Sequence, residues 1–199
     1  MTLDLDEMGP VSAKSYPGQR LVRARLPADA PPGTPAERAK QEADYGRRAS
    51  TYLYGAFDAT TGTAFTVCYD RRTTANFLDF LARLEAWVPA EVPSVYVILD
   101  NLRSHHAFDV LLFSLAHPRW HFVFQPTYAP YLNLIEPWWK TLRSLALKGR
   151  RFETVEEVIV AITRATADWN AHKHPYVWGR RRRHQPRRRS LVASLGRAA

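Results

Sequence analysis

The pattern of apolar and polar positions in the first third of the chain predicts β-structure. Residues 1–8 alternate apolar and acidic side chains, which places Leu3 and Leu5 on one face of a strand and Asp4 and Asp6 on the other. Residues 50–70 alternate in the same way around the turn-forming segment 58–62, which is typical of a β-hairpin. This part of the chain is therefore expected to form three strands.

The rest of the pattern alternates helices with short apolar strands. Strands are predicted at 95–99, expected to be buried on both faces, and at 120–124. Apolar residues at three- and four-residue steps predict helices around Phe77–Val88 and Phe108–Leu115, each stopped by a proline. Two more helices are expected, one running from Glu136 to near Gly149 and one beginning at the capping box 154–157. The order β, β-hairpin, α, β, α, β, α indicates an α/β fold.

Proline-rich and arginine-rich stretches define the predicted domain boundaries. Prolines in residues 10–50 are dense enough to argue against helix and central strand, so this segment is expected to be a basic excursion from the fold. Residues 179–199 are expected to form a flexible, Arg-rich tail. The prediction is one α/β domain over residues 1–178, interrupted by the excursion and followed by the tail.

Charge and cysteine content narrow the classes of partner and compartment. The net charge is +9 and the pI is near 10.0, but seven arginines lie within residues 180–189, so the remainder carries only +2. This favours a polyanionic partner bound over a narrow footprint. The single Cys68 excludes an internal disulfide and points to a reducing compartment. No apolar run approaches the roughly 20 residues that span a bilayer, and no signal peptide is visible.

Two carboxylates occupy positions typical of a ligand site in an α/β sheet. Asp100 directly follows the apolar run 95–99, and Glu136 precedes Pro137, which favours the first position of a helix. Oxygen ligands so placed suit a hard divalent cation such as magnesium. A turn-forming Asp and a Glu that complements a helix dipole are the simpler interpretations of the same residues.

The residues around these carboxylates resemble a known family. Ile98-Leu99-Asp100-Asn101, then His105-His106, then residues 128–136 closely resemble the last two catalytic motifs of DDE transposases. The nearest group is the mariner-like bacterial insertion-sequence transposases, whose short, nearly fixed motif spacing is matched by the 35 residues between Asp100 and Glu136. The resemblance implies a ribonuclease H-like fold, a mixed central sheet flanked by helices. It also implies that Asp6, followed by Glu7-Met8-Gly9, is the first catalytic carboxylate, with Asp4 as a weaker candidate for the same role. The alternative is that this acidic segment is a frayed terminus without a catalytic role.

The resemblance further implies a reaction and a set of site residues. Asp6, Asp100 and Glu136 are expected to hold two magnesium ions, with manganese as a substitute, and to cut DNA and transfer the cut strand. Basic residues after Glu136 and in the tail are expected to contact DNA, although a solvated helix face accounts equally well for part of them. These candidate DNA-binding residues are Lys140, Arg143, Lys148, Arg150, Arg151, Arg180, Arg181, Arg182 and Arg183.

The expected partners are the terminal repeats of an insertion sequence and target DNA, handled by a homodimer in the bacterial cytoplasm at the nucleoid. The chain begins almost at the first catalytic strand, so we expect a catalytic half whose helix-turn-helix region comes from another chain of the same element. A non-specific nuclease of the ribonuclease H type and an inactive DNA-binding remnant are the alternatives. His105 and His106 are expected at a helix start or at the surface, with an accessory role in the site as the alternative. Paired Cys/His spacing typical of zinc sites is missing from the sequence.

Overall fold

A computed structural model describes residues 1–16, 31, 49–126 and 130–175. The strands are β1 (Thr2–Ser12), β2 (Ser15–Tyr16), β3 (Ser50–Asp58), β4 (Thr63–Tyr69), β5 (Val95–Leu99), β6 (Trp120–Phe124) and β7 (Arg150–Arg151). The α-helices are α1 (Thr74–Trp87), α2 (Phe108–Ala116), α3 (Ile135–Ala146) and α4 (Val155–Ala171). Every predicted strand and helix in the described part of the chain is therefore present.

The central sheet has five strands in the order β4-β3-β1-β5-β6. The strand β1 lies in the middle, antiparallel to β3 and parallel to β5, and β5 is parallel to β6. In this register Asp6 is paired with Gly55 of β3, and Asp4 with Ile98 of β5. The mixed sheet confirms the predicted fold class, and the carboxyl end of β5 lies beside the part of β1 that carries Asp4.

Helices cover both faces of the sheet. On one face, α1 packs its buried Phe77, Phe80, Leu81 and Leu84 against the apolar side chains of β1, β3 and β5. On the other face, α3 and α4 pack against β1, β3 and β4, with Trp138 and Trp139 at the centre. Burial of two separate apolar layers on a single sheet is what stabilises this three-layer arrangement.

The strand β1 is longer than the sequence predicted. It continues through Gly9 and Pro10 to Ser12, although the segment from residue 10 was expected to lie outside the sheet. The register with β3 shifts between Met8 and Val11, and this irregularity accommodates Pro10, which has no N–H to donate to a neighbouring strand. The prediction of residue 10 as the start of an excursion was therefore wrong.

Burial on β5 also differs from the prediction. Val95, Val97 and Leu99 are fully buried, but Tyr96 on the opposite face is 47% exposed. The reason is that α3 and α4 lie over β1, β3 and β4 and leave this end of the sheet uncovered. The strand is therefore buried on one face and not on both.

The helix α2 also presents apolar residues to solvent. Its predicted apolar positions Phe108, Leu111, Leu112 and Leu115 are all exposed, and the core contact comes from Val110, with Phe113 packed beside it. The periodicity therefore predicted the helix correctly but not the face that enters the core.

Several predictions fall outside the described residues. They concern most of the Pro-rich excursion, the Arg-rich tail from residue 176 onward, and residues 127–129 of the loop before Glu136. Among the described residues, every helix is too short or too polar to cross a membrane.

Candidate active site

Acidic side chains of β1 point to both faces of the sheet. Asp4 and Asp6 face α3, whereas Glu7 faces α1, as the alternation along a strand requires. Asp4 is 2% exposed, and its Oδ1 accepts a hydrogen bond from the backbone N–H of Leu134 at 3.2 Å. Asp4 thus anchors the loop that leads into α3, which leaves Asp6 as the more accessible carboxylate of the two.

Asp6 lies against the indole ring of Trp139. The Trp139 Nε1–H donates to Asp6 Oδ2 at 3.1 Å. The ring fits there because Gly55, the residue paired with Asp6 on β3, has no side chain. A Cβ at Gly55 would lie 2.7 Å from Trp139 Cζ2 and 3.0 Å from Ile135 Cδ1. The glycine therefore permits the close approach of α3 to the sheet at the position of Asp6.

The pKa of Asp6 is strongly perturbed. Burial raises it to about 7, opposed in part by hydrogen bonds from the Glu7 backbone and Trp139, while the neighbouring carboxylates of Glu7 and Glu136 raise it further. The last of these effects also shows that Asp6 and Glu136 are close enough to interact. A group of like-charged carboxylates in a partly buried site favours binding of either protons or a cation.

The loop before α3 positions Glu136. Asn133 is 4% exposed; its Nδ2 donates to the backbone carbonyl of Leu5 at 2.8 Å, and its Oδ1 accepts from the N–H of Ile135 at 3.3 Å. These bonds tie the start of α3 to β1 one residue from Asp6. Sequence reasoning did not assign Asn133 a role, although an Asn just before a helix is a recognisable capping signal.

Glu136 lies inside the first turn of α3 and not at its N-cap. The helix begins at Ile135, which makes Pro137 the third helical residue. Proline is tolerated at this position because the first four backbone N–H groups of a helix have no partner within the helix. The small shift from the predicted position leaves the carboxylate of Glu136 near the positive end of the helix dipole.

Asp100 follows β5 at the edge of the sheet next to β1. The parallel pairing of β1 with β5 ends at Asp4 and Ile98, so Asp100 comes two residues after the last paired residue of β5, as Asp6 does on β1. Its Oδ1 accepts hydrogen bonds from the N–H of Leu102 and from His105 Nδ1, each at 3.0 Å. The bond from His105 holds the pKa of Asp100 below its usual range, despite partial burial. The side chain is 52% exposed.

His105 is buried between two carboxylates, so the prediction of a surface histidine was wrong. Its Nδ1 bonds to Asp100, and its Nε2 lies 2.9 Å from Oε1 of Glu7, whose side chain is only 3% exposed. The ring packs on Phe77, with centroids 4.4 Å apart. Burial lowers the pKa of His105, but the hydrogen bonds to Asp100 and Glu7 outweigh it and raise the pKa to about 9. The protonated ring therefore donates to both carboxylates at neutral pH.

The three predicted carboxylates thus fall into two linked groups. Asp6 interacts with Glu136, and Asp100 is joined through His105 to Glu7, the residue after Asp6. Glu7 is a second functional residue that sequence reasoning left without a role, although its place in the Asp-Glu pair was visible. Within the described residues, no three or more His, Cys, Asp or Glu side chains already form a metal-binding cluster. The donors are all hard carboxylate oxygens, which suit magnesium or manganese.

The predicted DNA-binding residues differ in their surroundings. Lys140, Arg143, Lys148 and Arg150 are exposed on or just after α3. Arg151 is exposed too, but its Nε lies 2.7 Å from Oε1 of Glu153, so its charge is largely compensated. The four tail arginines, 180–183, lie outside the described residues.

The fold is similar to that of solved Mos1 transposase structures. The Mos1 transposase paired-end complex with left transposon end is similar in fold, with a TM-score of 0.61 and 20% identity over 88% of this chain and 49% of that chain. The Mos1 strand transfer complex has a TM-score of 0.53 with 18% identity, over 88% of this chain and 55% of that chain. The sheet order and the covering helices are thus those of a ribonuclease H-like fold.

Sequence comparison identifies a relative and a family. An uncharacterized 39 kDa protein of insertion element IS630 from Shigella sonnei is 24% identical over 114 residues, which are 57% of this chain and 33% of that protein. The chain therefore spans about a third of the length of that relative. The profile of the DDE superfamily endonuclease family matches residues 18–159, a range that includes Asp100 and Glu136 and begins after Asp6. The chain belongs to the DDE superfamily endonucleases.

Proposed function

We propose that this chain is the catalytic part of an insertion-sequence transposase that cuts DNA at the element's ends and joins the freed end to target DNA. The feature that supports the proposal is the placement of Asp6 on β1, of Asp100 directly after the neighbouring β5, and of Glu136 in the first turn of α3, which packs against β1. The membership of the endonuclease family supports the cutting step. The likeness to Mos1 transposase supports the fold on which both steps depend.

The donor set fits a divalent metal. Asp6, Asp100 and Glu136 would hold magnesium as two ions, or manganese in its place, and the metal would supply activation of the nucleophile and stabilisation of the leaving oxygen at phosphorus. The protein's own part is to keep these carboxylates close. The raised pKa of Asp6 favours a bound proton, which a metal would replace. His105 holds Oδ1 of Asp100, and the other oxygen of Asp100 has no hydrogen bond within the described residues. The Asn133 loop fixes Glu136.

The proposed reaction has two displacements at phosphorus. Water attacks a phosphodiester at the element's end, the P–O3′ bond breaks, and a free 3′-hydroxyl results. That 3′-hydroxyl then attacks a phosphodiester of the target, forming a new P–O bond and releasing a target 3′-hydroxyl. No net change in the number of phosphodiesters accompanies the second step, so it needs no external energy source.

The proposed partners follow from this reaction. The chain acts on terminal repeats and target DNA, as a dimer because two element ends have to be handled together. A helix-turn-helix region from the same element is the proposed source of sequence recognition. The site of action is the bacterial cytoplasm at the nucleoid.

The proposal is tested with labelled duplexes that carry the repeats flanking the element. Wild-type protein is incubated with magnesium or manganese, and products are separated by length under denaturing conditions. We expect metal-dependent nicking at the repeat and a longer, joined product. Both are expected to disappear in Asp100→Ala and to persist in the matched surface variant Asp109→Ala, which removes an exposed carboxylate of α2.

The products separate the alternatives. Nicking without a joined product would indicate a nuclease and not a transposase. DNA binding that is unchanged in Asp100→Ala, with no metal-dependent nicking by the wild type, even after the neighbouring helix-turn-helix protein is added, would indicate an inactive remnant.

A further inference from the structure

A concave basic pocket lies on the surface next to the candidate active site. Its volume is about 450 Å³, and its wall combines the end of β1, the turn into β2 and one face of α3. Four cations line it, namely Lys14, Lys140, Arg143 and Lys148. Lys14 and Tyr16 were not among the predicted site residues.

The described residues offer these cations no neutralising partner. Within the described part of the chain, no carboxylate lies within ion-pair distance of any of the four. The Nε of Arg143 instead points to Sδ of Met8 at 2.9 Å, a weak acceptor, and Lys14 lies over the ring of Tyr16, 5.4 Å from its centroid. Four like charges around one concavity repel each other, and an anion would relieve that repulsion.

The pocket is braced by backbone contacts. The N–H of Gly149 donates to the carbonyl of Tyr16 at 2.7 Å, and the N–H of Phe152 donates to the carbonyl of Lys14 at 3.2 Å. The strands β2 and β7 pair alongside them. These contacts fix the turn after β1 to the end of α3, so the cations on the two sides of the pocket keep a constant separation.

The pocket continues the face of α3 that carries Glu136. Lys140, Arg143, Ser144 and Leu147 follow Glu136 at helical steps of three and four residues, so all lie on one stripe of the helix. At 1.5 Å per residue, Arg143 is roughly 10 Å and the end of α3 roughly 15 Å from Glu136 along the axis. Phosphates of one strand turn around the DNA axis as they rise by about 3.4 Å per nucleotide, so this straight-line distance corresponds to about two nucleotides.

We propose that this pocket binds a backbone phosphate of the duplex, about two nucleotides from the phosphate that is cut. The position of the bound phosphate relative to the cut rests on the proposed function, whereas the binding of a phosphate by the pocket does not. Lys14, Arg143 and Lys148 surround the phosphate, and the apolar side chain of Leu147 and the ring of Tyr16 form the remaining wall. The pocket thereby sets the direction in which the duplex leaves the active site along α3.

The first test measures binding of a mixed-sequence duplex in EDTA between about 50 and 200 mM salt. Each lost phosphate contact decreases the steepness of the plot of log K against log salt by about 0.9. Because the three cations share one phosphate, we expect a decrease approaching about 0.9 for Lys14→Gln/Lys148→Gln and a smaller decrease for each of Lys14→Gln, Arg143→Gln and Lys148→Gln. The matched control is Arg164→Gln on the exposed face of α4, which removes the same charge. All these residues are exposed, so the variants are expected to fold. Pocket variants that behave like Arg164→Gln would overturn the proposal.

A parallel titration replaces chloride by inorganic phosphate at equal ionic strength. Inorganic phosphate competes with a duplex phosphate for the pocket, so we expect the wild type to lose more duplex binding than the pocket variants. Equal losses in the wild type and the variants would contradict the assignment of the pocket to the duplex.

The position is tested on the duplex that the wild type cuts, with single neutral methylphosphonate linkages. Neutralising the linkage about two nucleotides from the cut should weaken wild-type binding and leave Arg143→Gln binding unchanged. Equal effects on both proteins would contradict the assigned position. A wild type that binds with the expected slope differences but never cuts would refute the proposed function and leave the pocket intact, so the two failures are distinguishable.

Discussion

Replacing Asp6 by Asn is expected to stabilise the metal-free protein at pH 8 while reducing DNA cleavage by a factor on the order of 10³ or more. The stabilisation follows from the pKa of about 7, since ionising Asp6 in the folded protein is unfavourable beside Glu7 and Glu136. The folded state holds this proton more tightly than the unfolded state, so the contribution of Asp6 to stability falls as pH rises from about 4 to about 7. Asn mimics the neutral acid and avoids this loss.

The experiment is urea unfolding of wild type and Asp6→Asn at pH 5 and pH 8, with and without magnesium. At pH 8 without metal the variant should be more stable by roughly 2 kcal/mol, and at pH 5 the difference should shrink. Magnesium should stabilise the wild type and have little effect on the variant, since ligands stabilise only the state that binds them. The control Asp4→Asn should keep the magnesium effect. An Asp6→Asn protein that is less stable at pH 8, or that gains as much from magnesium as the wild type, would show that Asp6 is not the first ligand.

Replacing His105 by Ala is expected to destabilise the protein by about 3–5 kcal/mol and also to slow DNA cleavage. In His105→Ala the buried Glu7 carboxylate loses its cation, and Asp100 loses the hydrogen bond that fixes its Oδ1. The ring's contact with Phe77 is lost as well. The neighbouring His106→Ala is the matched control, because His106 is exposed and stacks on Phe124 at the edge of the sheet.

A second variant separates stability from positioning of Asp100. In His105→Ala/Glu7→Gln the stranded charge of Glu7 is removed, so a large part of the stability should return. The affinity for manganese, measured by titration, should stay as low as in His105→Ala, because Asp100 is still unsupported. If manganese affinity returned together with stability, His105 would have a structural role only.

The order of strands and helices could be read from the sequence because each element has a distinct hydrophobic period. Leu3 and Leu5 alternate with Asp4 and Asp6, and Phe77, Phe80, Leu81 and Leu84 repeat at helical steps. Which face of an element meets the core depended on neighbours that the periodicity does not specify. Tyr96 on β5 is exposed because α3 and α4 cover only the other end of the sheet, whereas α2 packs through Val110 on the face of the sheet that α1 covers and leaves its apolar stripe in solvent.

The candidate site was predictable where residues follow one another in sequence and not where they meet in space. Asp100 and Glu136 stand in contiguous motifs, and the resemblance of those motifs led to Asp6. The contacts of His105 with Glu7, of Asn133 with Leu5 and of Trp139 with Asp6 join residues about 100 or more positions apart. Sequence spacing contains no direct signal for such pairs, so the supporting residues of the site became visible only in the fold.

The central claim is that Asp6, Asp100 and Glu136 act as one site, and the coupling between their substitutions tests it most directly. Residues that act as a unit show strongly non-additive losses, because removing one member already removes the function of the whole. The matched control is Glu156→Gln, an exposed carboxylate in the first turn of α4.

The measurement is the rate of magnesium-dependent cleavage for Asp6→Asn, Asp100→Asn, Glu136→Gln and the double variant Asp6→Asn/Glu136→Gln. We predict that each single substitution lowers the rate by a factor on the order of 10³ or more and that the double variant is no slower than the slower of its two parents. Glu156→Gln should cleave at the wild-type rate. Three small and multiplicative losses, or a single variant that cleaves as the wild type does, would contradict the assignment of these carboxylates to one catalytic site.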